Sequence, residues 1–143
     1  MTQSTHPTQV LGSARADHEI LADLMVNVRK LFKGDRPPDA TQQFATIQQL
    51  LSEKLSGHFT DEEKYLFPWI IAENPSAEIV RVIAELCAEH IQLLAEAGHL
   101  QSLLHHQNVV TCTGEVWIAL LDFFCNLHAH ATKEDQLFKF ILI

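Results

Sequence analysis

Apolar residues recur at intervals of three and four along nearly the whole chain, which is the period of an amphipathic helix. The first such segment ends in the sequence KGDRPPD, where Gly34 and the pair Pro37–Pro38 interrupt a helix. Its apolar face also carries a polar residue, His18. That face consists of Leu11, Ala14, His18, Leu21, Met25 and Val28.

A second helical segment follows, and its apolar face includes a histidine, a glutamate and a tyrosine. We expect it to stop at Pro68, because proline cannot donate the backbone hydrogen bond of a helix interior. The face consists of Phe44, Ile47, Leu51, His58, Glu62 and Tyr65.

The third and fourth segments have recognisable start signals. Asn74 is predicted as the N-cap of the third, with Pro75 as its first helical residue, and Thr113 as the N-cap of the fourth. The third face consists of Ile79, Ile83, Leu86, His90, Leu93, Ala97 and Leu104. The fourth consists of Val116, Leu120, Phe123, Leu127, His130, Glu134, Leu137 and Ile141.

Four long amphipathic segments with short links favour an all-α fold, an antiparallel up-down-up-down four-helix bundle. We predict a flexible tail over residues 1–9 and one four-helix domain over residues 10–143. The larger apolar side chains and two of the cysteines are expected in its core. These are Phe59, Phe67, Trp69, Trp117, Phe123, Phe124, Cys87 and Cys125.

Charge and composition narrow the range of partners. The chain has 18 acidic and 10 basic residues, for a net charge of −8, so we expect neither nucleic acid nor an acidic membrane surface as a partner. The longest apolar stretch, VWIALLDFFC, is too short to cross a bilayer and contains Asp122. The N-terminus does not resemble a signal peptide, and three cysteines without CxxC spacing indicate reduced thiols and a cytoplasmic location.

The polar residues on the apolar faces form an internal repeat. The sequence HFTDEEKYL from His58 matches HATKEDQLF from His130, and Glu62 and Glu134 occupy the same place in each. The interval from His18 to His90 equals the interval from His58 to His130. The chain is therefore predicted to consist of two helical hairpins related by a pseudo-twofold axis.

Hairpin geometry predicts that the four histidines meet at one level of the bundle. The sequence midpoints between successive histidines are Pro38, Asn74 and Val110, which lie in the predicted breaks KGDRPPD, AENPSAE and NVVTCTGE. Residues equidistant from a turn lie at the same height in an antiparallel pair. Glu62 and Glu134 should lie about 6 Å from that level, one helical turn further along.

Four imidazoles and two carboxylates in an apolar interior need compensation, because burying unpaired charge is costly. Nitrogen and carboxylate donors together suit iron, zinc, manganese or copper. Six donor residues exceed one tetrahedral zinc site, whereas two metals with two histidines each and two shared glutamates use every group. The coordination left open favours chemistry with dioxygen, peroxide or nitric oxide.

The fourth segment offers a second stripe, and with it an alternative ligand pair, His128 and Asp135. The equal spacings of the repeat favour His130 and Glu134 instead. Tyr65, one turn beyond Glu62, is expected either to hydrogen-bond a bound ligand or to pack with its hydroxyl at the rim. The remaining histidines are interpreted as surface or tail residues. They are His6, His99, His105 and His106.

The ordered set of histidines and glutamates resembles the cation-binding domain of the hemerythrin-like (HHE) proteins, over nearly the whole chain from about residue 10. The resemblance implies a four-helix bundle with a non-haem di-iron centre bridged by oxygen and two carboxylates. By this resemblance Glu62 and Glu134 would be the bridges. The terminal ligands would be His18, His58, His90 and His130.

Two departures from the oxygen-carrying members bear on function. Those members have HxxxH on the third helix, whereas Leu94 follows His90 here, which argues against reversible oxygen carriage. They also end in HxxxxD, so Asp135 is an alternative bridge to Glu134. We therefore expect a sensor or responder that binds oxygen, nitric oxide or peroxide. The alternatives are an enzyme that turns over peroxide or nitric oxide, and a protein of iron storage, delivery or iron-centre repair.

Overall fold

The computed structural model describes residues 6–141, and that part of the chain is helical without any strand. Helix α1 spans Pro7–Phe32, α2 spans residues 40–73, α3 spans Ala77–Leu104 and α4 spans Gly114–Ile141. The predicted all-α fold is confirmed. Of the predicted tail over residues 1–9, residues 1–5 lie outside the described residues, and residues 7–9 form the first turn of α1.

Helix α1 begins and ends at recognisable signals. The His6 side chain accepts a hydrogen bond from the Thr8 N–H, and Pro7 lies in the first turn, where no backbone donor is needed. After Phe32 the chain turns at Gly34, whose φ of +98° lies in the left-handed region. Glycine adopts that conformation without steric cost, so the break predicted at KGDRPPD is confirmed.

Helix α2 contains two π-helical turns, Leu50–Lys54 and Glu62–Leu66. The prediction that it stops at Pro68 is wrong, because the helix continues through Phe67–Glu73. Pro68 lies directly after the second π-helical turn, where the Phe67 N–H bonds the Glu62 carbonyl five residues back. The regular four-residue bonding is already interrupted there, so a residue without an N–H is tolerated.

The start of α3 differs from the prediction and the start of α4 agrees with it. Ser76, rather than Asn74, is the N-cap of α3, and its side chain accepts a hydrogen bond of 3.1 Å from the Ile79 N–H. Asn74 instead ends α2. Thr113 caps α4 as predicted, since its hydroxyl accepts a hydrogen bond of 3.4 Å from the Val116 N–H.

The helices pack in a ring, in which each contacts the next in sequence and α1 contacts α4. Their buried side chains form two apolar clusters, which we name the large core and the small core. The large core includes Val28, Leu31, Ile47, Leu55, Phe59, Leu100, Leu104, Leu120, Phe123 and Phe124. The small core includes Val10, Ala14, Leu66, Phe67, Ile70, Ile83, Leu86, Leu137 and Phe138.

Most of the predicted core is confirmed, and one member of it is wrong. Phe59, Phe67, Trp117, Phe123 and Phe124 are buried. Trp69 and Cys87 are half-buried and pack against the small core, whereas Cys125 is exposed on the outer side of its helix. Along residues 6–141, no helix combines the length and the apolar character that a membrane span requires.

Candidate metal centre

A layer of polar side chains lies between the large core and the small core. Helix α1 contributes His18, α2 contributes His58 and Glu62, α3 contributes His90, and α4 contributes His130 and Glu134. All except His58 are among the buried polar residues, and the His58 side chain is itself only 8% exposed. The structure thus brings the six sequence-predicted residues into one buried layer.

Within this layer the donor atoms form two groups, and in each group they lie within 4.8 Å of one another. We name them the first site and the second site. The first site contains His18 and His58, and the second site contains His90 and His130. Both groups also contain Glu62 and Glu134. The two glutamates are therefore shared, as expected for carboxylates that bridge two cations.

Each of the four imidazoles directs Nε2 towards a glutamate. The His18 Nε2 is 3.1 Å from Glu134 Oε1, and the His90 Nε2 is 3.1 Å from Glu62 Oε1. The His58 Nε2 is 3.4 Å from Glu62 Oε2, and the His130 Nε2 is 3.4 Å from Glu134 Oε1. Only the His18–Glu134 contact has the geometry of a hydrogen bond.

Several donors in the layer therefore have no hydrogen-bond partner in the described chain. They include both carboxylate oxygens of Glu62, Glu134 Oε2, and the Nε2 atoms of His90 and His130. Leaving one buried polar group unpaired costs about 1–3 kcal/mol, and more where the group is charged. A cation placed among imidazole nitrogens and carboxylate oxygens would satisfy all of them at once, so the residues fit a metal centre.

A second set of carboxylates lies behind the layer and hydrogen-bonds the outer nitrogens of three of the four histidines. Nδ1 of His18 is 2.8 Å from Asp135, and Nδ1 of His58 is 2.9 Å from Asp17. Nδ1 of His130 is 2.7 Å from Glu89. A carboxylate that accepts the Nδ1 proton fixes the ring so that Nε2 points inward. This arrangement is common behind metal-ligating histidines, because it raises their basicity and sets their orientation.

Sequence reasoning missed these outer carboxylates, although a signal was present. Asp17 and Glu89 each directly precede a histidine of the layer and occupy equivalent positions in the internal repeat. Glu63 and Asp135 each follow a predicted bridging glutamate and are also equivalent in the repeat. The Glu63 carboxylate lies 3.5 Å from Nδ1 of His90 but accepts no hydrogen bond from it, so this outer nitrogen has no partner within residues 6–141. The internal repeat therefore extends beyond the six inner residues.

Neighbouring carboxylates raise the pKa values of His58, His90 and His18. Burial acts to lower the pKa of His58, but the hydrogen bond to Asp17 and the nearby Glu62 raise it to about 10. Burial likewise acts to lower the pKa of His90, but Glu134 and Glu62 raise it to about 9. Burial also acts to lower the pKa of the His18 imidazole, but Glu134 and Asp135 raise it.

The two shared glutamates are shifted in opposite directions. Burial, followed by the proximity of Glu134, raises the pKa of Glu62. Burial also acts to raise the pKa of Glu134, but the imidazoles of His130 and His18 hold it well below its usual range. Without a cation, the two shared carboxylates thus differ in their affinity for a proton.

Aromatic rings enclose the second site. The Phe59 ring stacks on His90 with centroids 3.9 Å apart, and Phe67 lies against His90 at 5.8 Å. His90 is only 1% exposed, compared with 8% for His18. Stacked aromatic rings keep this imidazole dry and restrict its rotation.

The alternative ligands of α4 lie outside the layer. His128 is exposed, because its position faces away from the other helices. Asp135 is 41% exposed and accepts the His18 Nδ1 proton, while Glu134 lies inside the layer. Leu94, where the oxygen carriers have a fifth histidine, packs against the large core.

Tyr65 and the surface histidines complete the set of predicted residues. Tyr65 is half-buried against the small core, and the hydrogen bonds of residues 6–141 include none between its hydroxyl and the layer. The four histidines interpreted as surface or tail residues are exposed. They are His6, His99, His105 and His106.

Comparison with known proteins gave one result. The family model described as hemerythrin HHE cation binding domain matches residues 11–141. No curated protein and no solved structure matched the chain. The matched range contains all six residues of the layer and their outer carboxylates.

Proposed function

The chain belongs to the hemerythrin HHE cation-binding domain family, and from this premise we propose that it is a non-haem di-iron protein that binds or reacts with oxygen, nitric oxide or peroxide as a sensor or responder. The observation that carries the proposal is the set of unpaired donors in the buried layer. Both oxygens of Glu62 and the Nε2 atoms of two histidines lack partners within the described chain. Cation binding is the arrangement that satisfies them together.

The proposed ligands divide evenly between two iron ions. His18 and His58 would hold one ion and His90 and His130 the other, with Glu62 and Glu134 bound to both. Iron bound there would supply a redox-active cation whose remaining coordination positions are open to a small ligand. Zinc or manganese would accept the same donors, so the choice of iron follows the family.

The residues around the ligands have separate roles in this proposal. Asp17, Glu89 and Asp135 orient three imidazoles and keep the Nδ1 proton in place. Phe59 and Phe67 exclude water from the second site, which strengthens electrostatic interactions inside it. Tyr65 remains a candidate hydrogen-bond donor to a ligand bound near Glu62.

We also infer that the helices run up, down, up and down. On α1 and α3, chain direction leads from the small core through the histidine to the large core. On α2 and α4 it leads from the large core through the histidine to the small core. This alternation supports an antiparallel arrangement of successive helices.

A role in sensing or response is favoured over oxygen carriage. With Leu94 packed against the large core, each site has two histidines, unlike the unequal sites of the oxygen carriers. Cys87, Cys112 and Cys125 are free in the described chain, which supports a reducing, cytoplasmic location.

The first experiment is to measure metal content and the absorption spectrum of protein purified without added metal. We expect two iron ions per chain and near-ultraviolet absorption from the centre. One zinc ion, or no metal even after anaerobic loading with iron, would refute the di-iron proposal.

Addition of ligands to the iron-loaded protein then separates the candidate functions. A sensor or responder should give a stoichiometric spectral change with nitric oxide or peroxide and no sustained turnover. Repeated evolution of oxygen from peroxide would instead identify an enzyme. Rapid loss of iron to a chelator would identify storage or delivery.

A further inference from the structure

A narrow crevice between α1 and α2 leads from the surface to the first site. Its volume is about 20 Å³, enough for one water-sized body. Polar groups at its outer part come from Ser13, Asp17 and Asp61, and its inner part reaches His58 and Glu62. Ser13 and Asp61 are exposed, so the crevice is in contact with solvent.

The inner end of the crevice is a buried carboxylate without a hydrogen-bond partner. The Glu62 side chain is 1% exposed, and neither of its oxygens has a hydrogen-bond partner within residues 6–141. A carboxylate of this kind attracts a cation rather than an anion or an apolar ligand. The acidic groups outside and the unpaired carboxylate inside thus lie along one path.

The equivalent position at the second site carries a network of ion pairs. The repeat places Glu85, Glu89 and Lys133 where the first site has Ser13, Asp17 and Asp61. The Lys133 ammonium lies 3.0 Å from Glu85 and 2.9 Å from Glu89. A positive charge bridges two helices at this point, where the other side of the molecule has an exposed carboxylate, Asp61.

A larger groove also lies beside the second site, but it does not reach the shared carboxylates. Its volume is about 320 Å³, and its lining includes Glu89, His130 and Lys133. Neither Glu62 nor Glu134 is among the lining residues. A cation in this groove would meet the Lys133 ammonium and the outer side of His130, away from the shared donors.

We propose that divalent cations reach the metal centre through the crevice between α1 and α2, with Asp61 attracting them, and that Lys133 closes the equivalent path at the second site. This inference rests on the proposed metal-binding function and adds to it an order of loading, in which the first site fills from solvent and the second fills through it. Acidic groups at the mouth of a narrow path raise the local concentration of cations and the rate of association.

The test is the rate of metal uptake, measured with the full chain. Metal-free protein is mixed anaerobically with Fe²⁺ or with Co²⁺ as a spectroscopic probe, and absorbance is followed in a stopped-flow instrument. The Asp61→Asn variant should take up metal several-fold more slowly at low ionic strength. Asp61→Lys, which copies the arrangement at Lys133, should slow uptake by about tenfold or more. Both variants should still bind two ions at equilibrium.

The matched control is Asp122→Asn, which removes one charge from an exposed acid of α4 that does not line the crevice. It should leave the uptake rate unchanged. Wild-type rates in both Asp61 variants would refute the route, and so would equal slowing in all variants, which would indicate attraction by net charge alone. Failure of the wild-type chain to bind two ions would refute the proposed function instead.

Discussion

The first and second sites use the same kinds of donor but differ in their surroundings. His90 of the second site stacks on two rings, Phe59 at 3.9 Å and Phe67 at 5.8 Å, whereas His18 of the first site stacks on one ring, Phe138, at 6.3 Å. The first site instead adjoins an acidic crevice. The repeat therefore preserves the metal-binding donors, whereas the surrounding residues have diverged into one accessible site and one enclosed site.

The backbones of the two halves differ in the same way. Helix α2 contains π-helical turns at Leu50–Lys54 and Glu62–Leu66, whereas α4 is a continuous α-helix through its equivalent glutamate, Glu134. Single π-helical turns occur often at functional sites. The equivalence of the halves thus holds for the side chains that face the centre and not for the hydrogen bonding of the helices that carry them.

The largest effect should follow from removing a shared glutamate. Glu62→Ala or Glu134→Ala should reduce metal content from two ions to none, because each residue belongs to both sites. His58→Ala and His90→Ala should each leave one ion. At a free metal concentration 1,000-fold above Kd, each lost ion removes about 4 kcal/mol from the free energy of unfolding.

Metal analysis together with thermal unfolding checks this prediction. His128→Ala is the control, since the side chain is exposed and should leave both ions bound. Equal loss of metal in the glutamate and histidine variants would contradict the division into two sites.

The second-largest effect concerns the two sites of the metal-free protein, whose stability should depend on pH. The pKa values of about 10 for His58 and about 9 for His90 lie above the unfolded value near 6.5. Their contribution to stability is fully present below pH 6.5 and is lost as pH rises through 9 and 10, a change of a few kcal/mol. The melting temperature of the metal-free protein should fall from pH 6.5 to 10. The increase in melting temperature on addition of metal should become larger over the same range.

Titration of the imidazoles by NMR assigns this effect to residues. His58 should lose its proton after His90, because Asp17 holds the outer nitrogen of His58. A melting temperature independent of pH in this range would contradict the raised pKa values.

Removal of the Phe59 ring should weaken the second site more than the first, because the ring stacks on His90 at 3.9 Å and lies tilted to His58 at 5.7 Å. Phe59→Ala should cost about 3–5 kcal/mol in the free energy of unfolding, since the ring is 1% exposed. Phe123→Ala is the matched control, because it removes an equally buried ring from the large core. Both variants should lose stability, but only Phe59→Ala should weaken the second ion, as measured by chelator competition.

Each outer carboxylate should affect the metal affinity of the site whose histidine it contacts, and not that of the other site. Asp17→Asn should weaken the ion of the first site, and Glu89→Gln that of the second, by about 10–100-fold. Chelator competition at several metal concentrations resolves the two affinities. A uniform effect of either variant on both ions would show that the sites are not independent at this level.

The smallest effect is expected at Gly57, which is equivalent to Ala129 in the second half of the internal repeat. A Cβ at Gly57 would meet no atom within 4 Å, and the residue is exposed within a helix. Gly57→Ala should raise the free energy of unfolding by about 0.5–1 kcal/mol and leave metal affinity unchanged. Urea unfolding measures the change, and a decrease in stability would contradict the room available there.

The position of the polar layer was predictable because it depends on spacing. His18, His58, His90 and His130 are related by equal intervals within and between the two hairpins, and helix geometry converts those intervals into one level. The residues that surround the polar layer were less predictable. Asp17 and Glu89 look like ordinary surface acids in the sequence, since half-exposed carboxylates are common on helices.

Local backbone features also could not be predicted from the periodic pattern of apolar residues. Pro68 signals a helix end, and only the hydrogen bond from Phe67 to Glu62 across the π-helical turn explains why α2 continues. Ser76 and Asn74 are both good N-caps, so the sequence alone does not choose between them. The exposed position of Cys125 follows from helix rotation, which apolar residues on two stripes of α4 leave ambiguous.

The polar layer also divides the interior of the molecule into two hydrophobic cores. In folding terms the layer is a seam, because the large core and the small core lie on opposite sides of its unpaired donors. Without cations at this seam, we expect the two cores to open as separate cooperative units. Cations that bind all four helices at the seam would join these units, so that metal binding sets the cooperativity of unfolding.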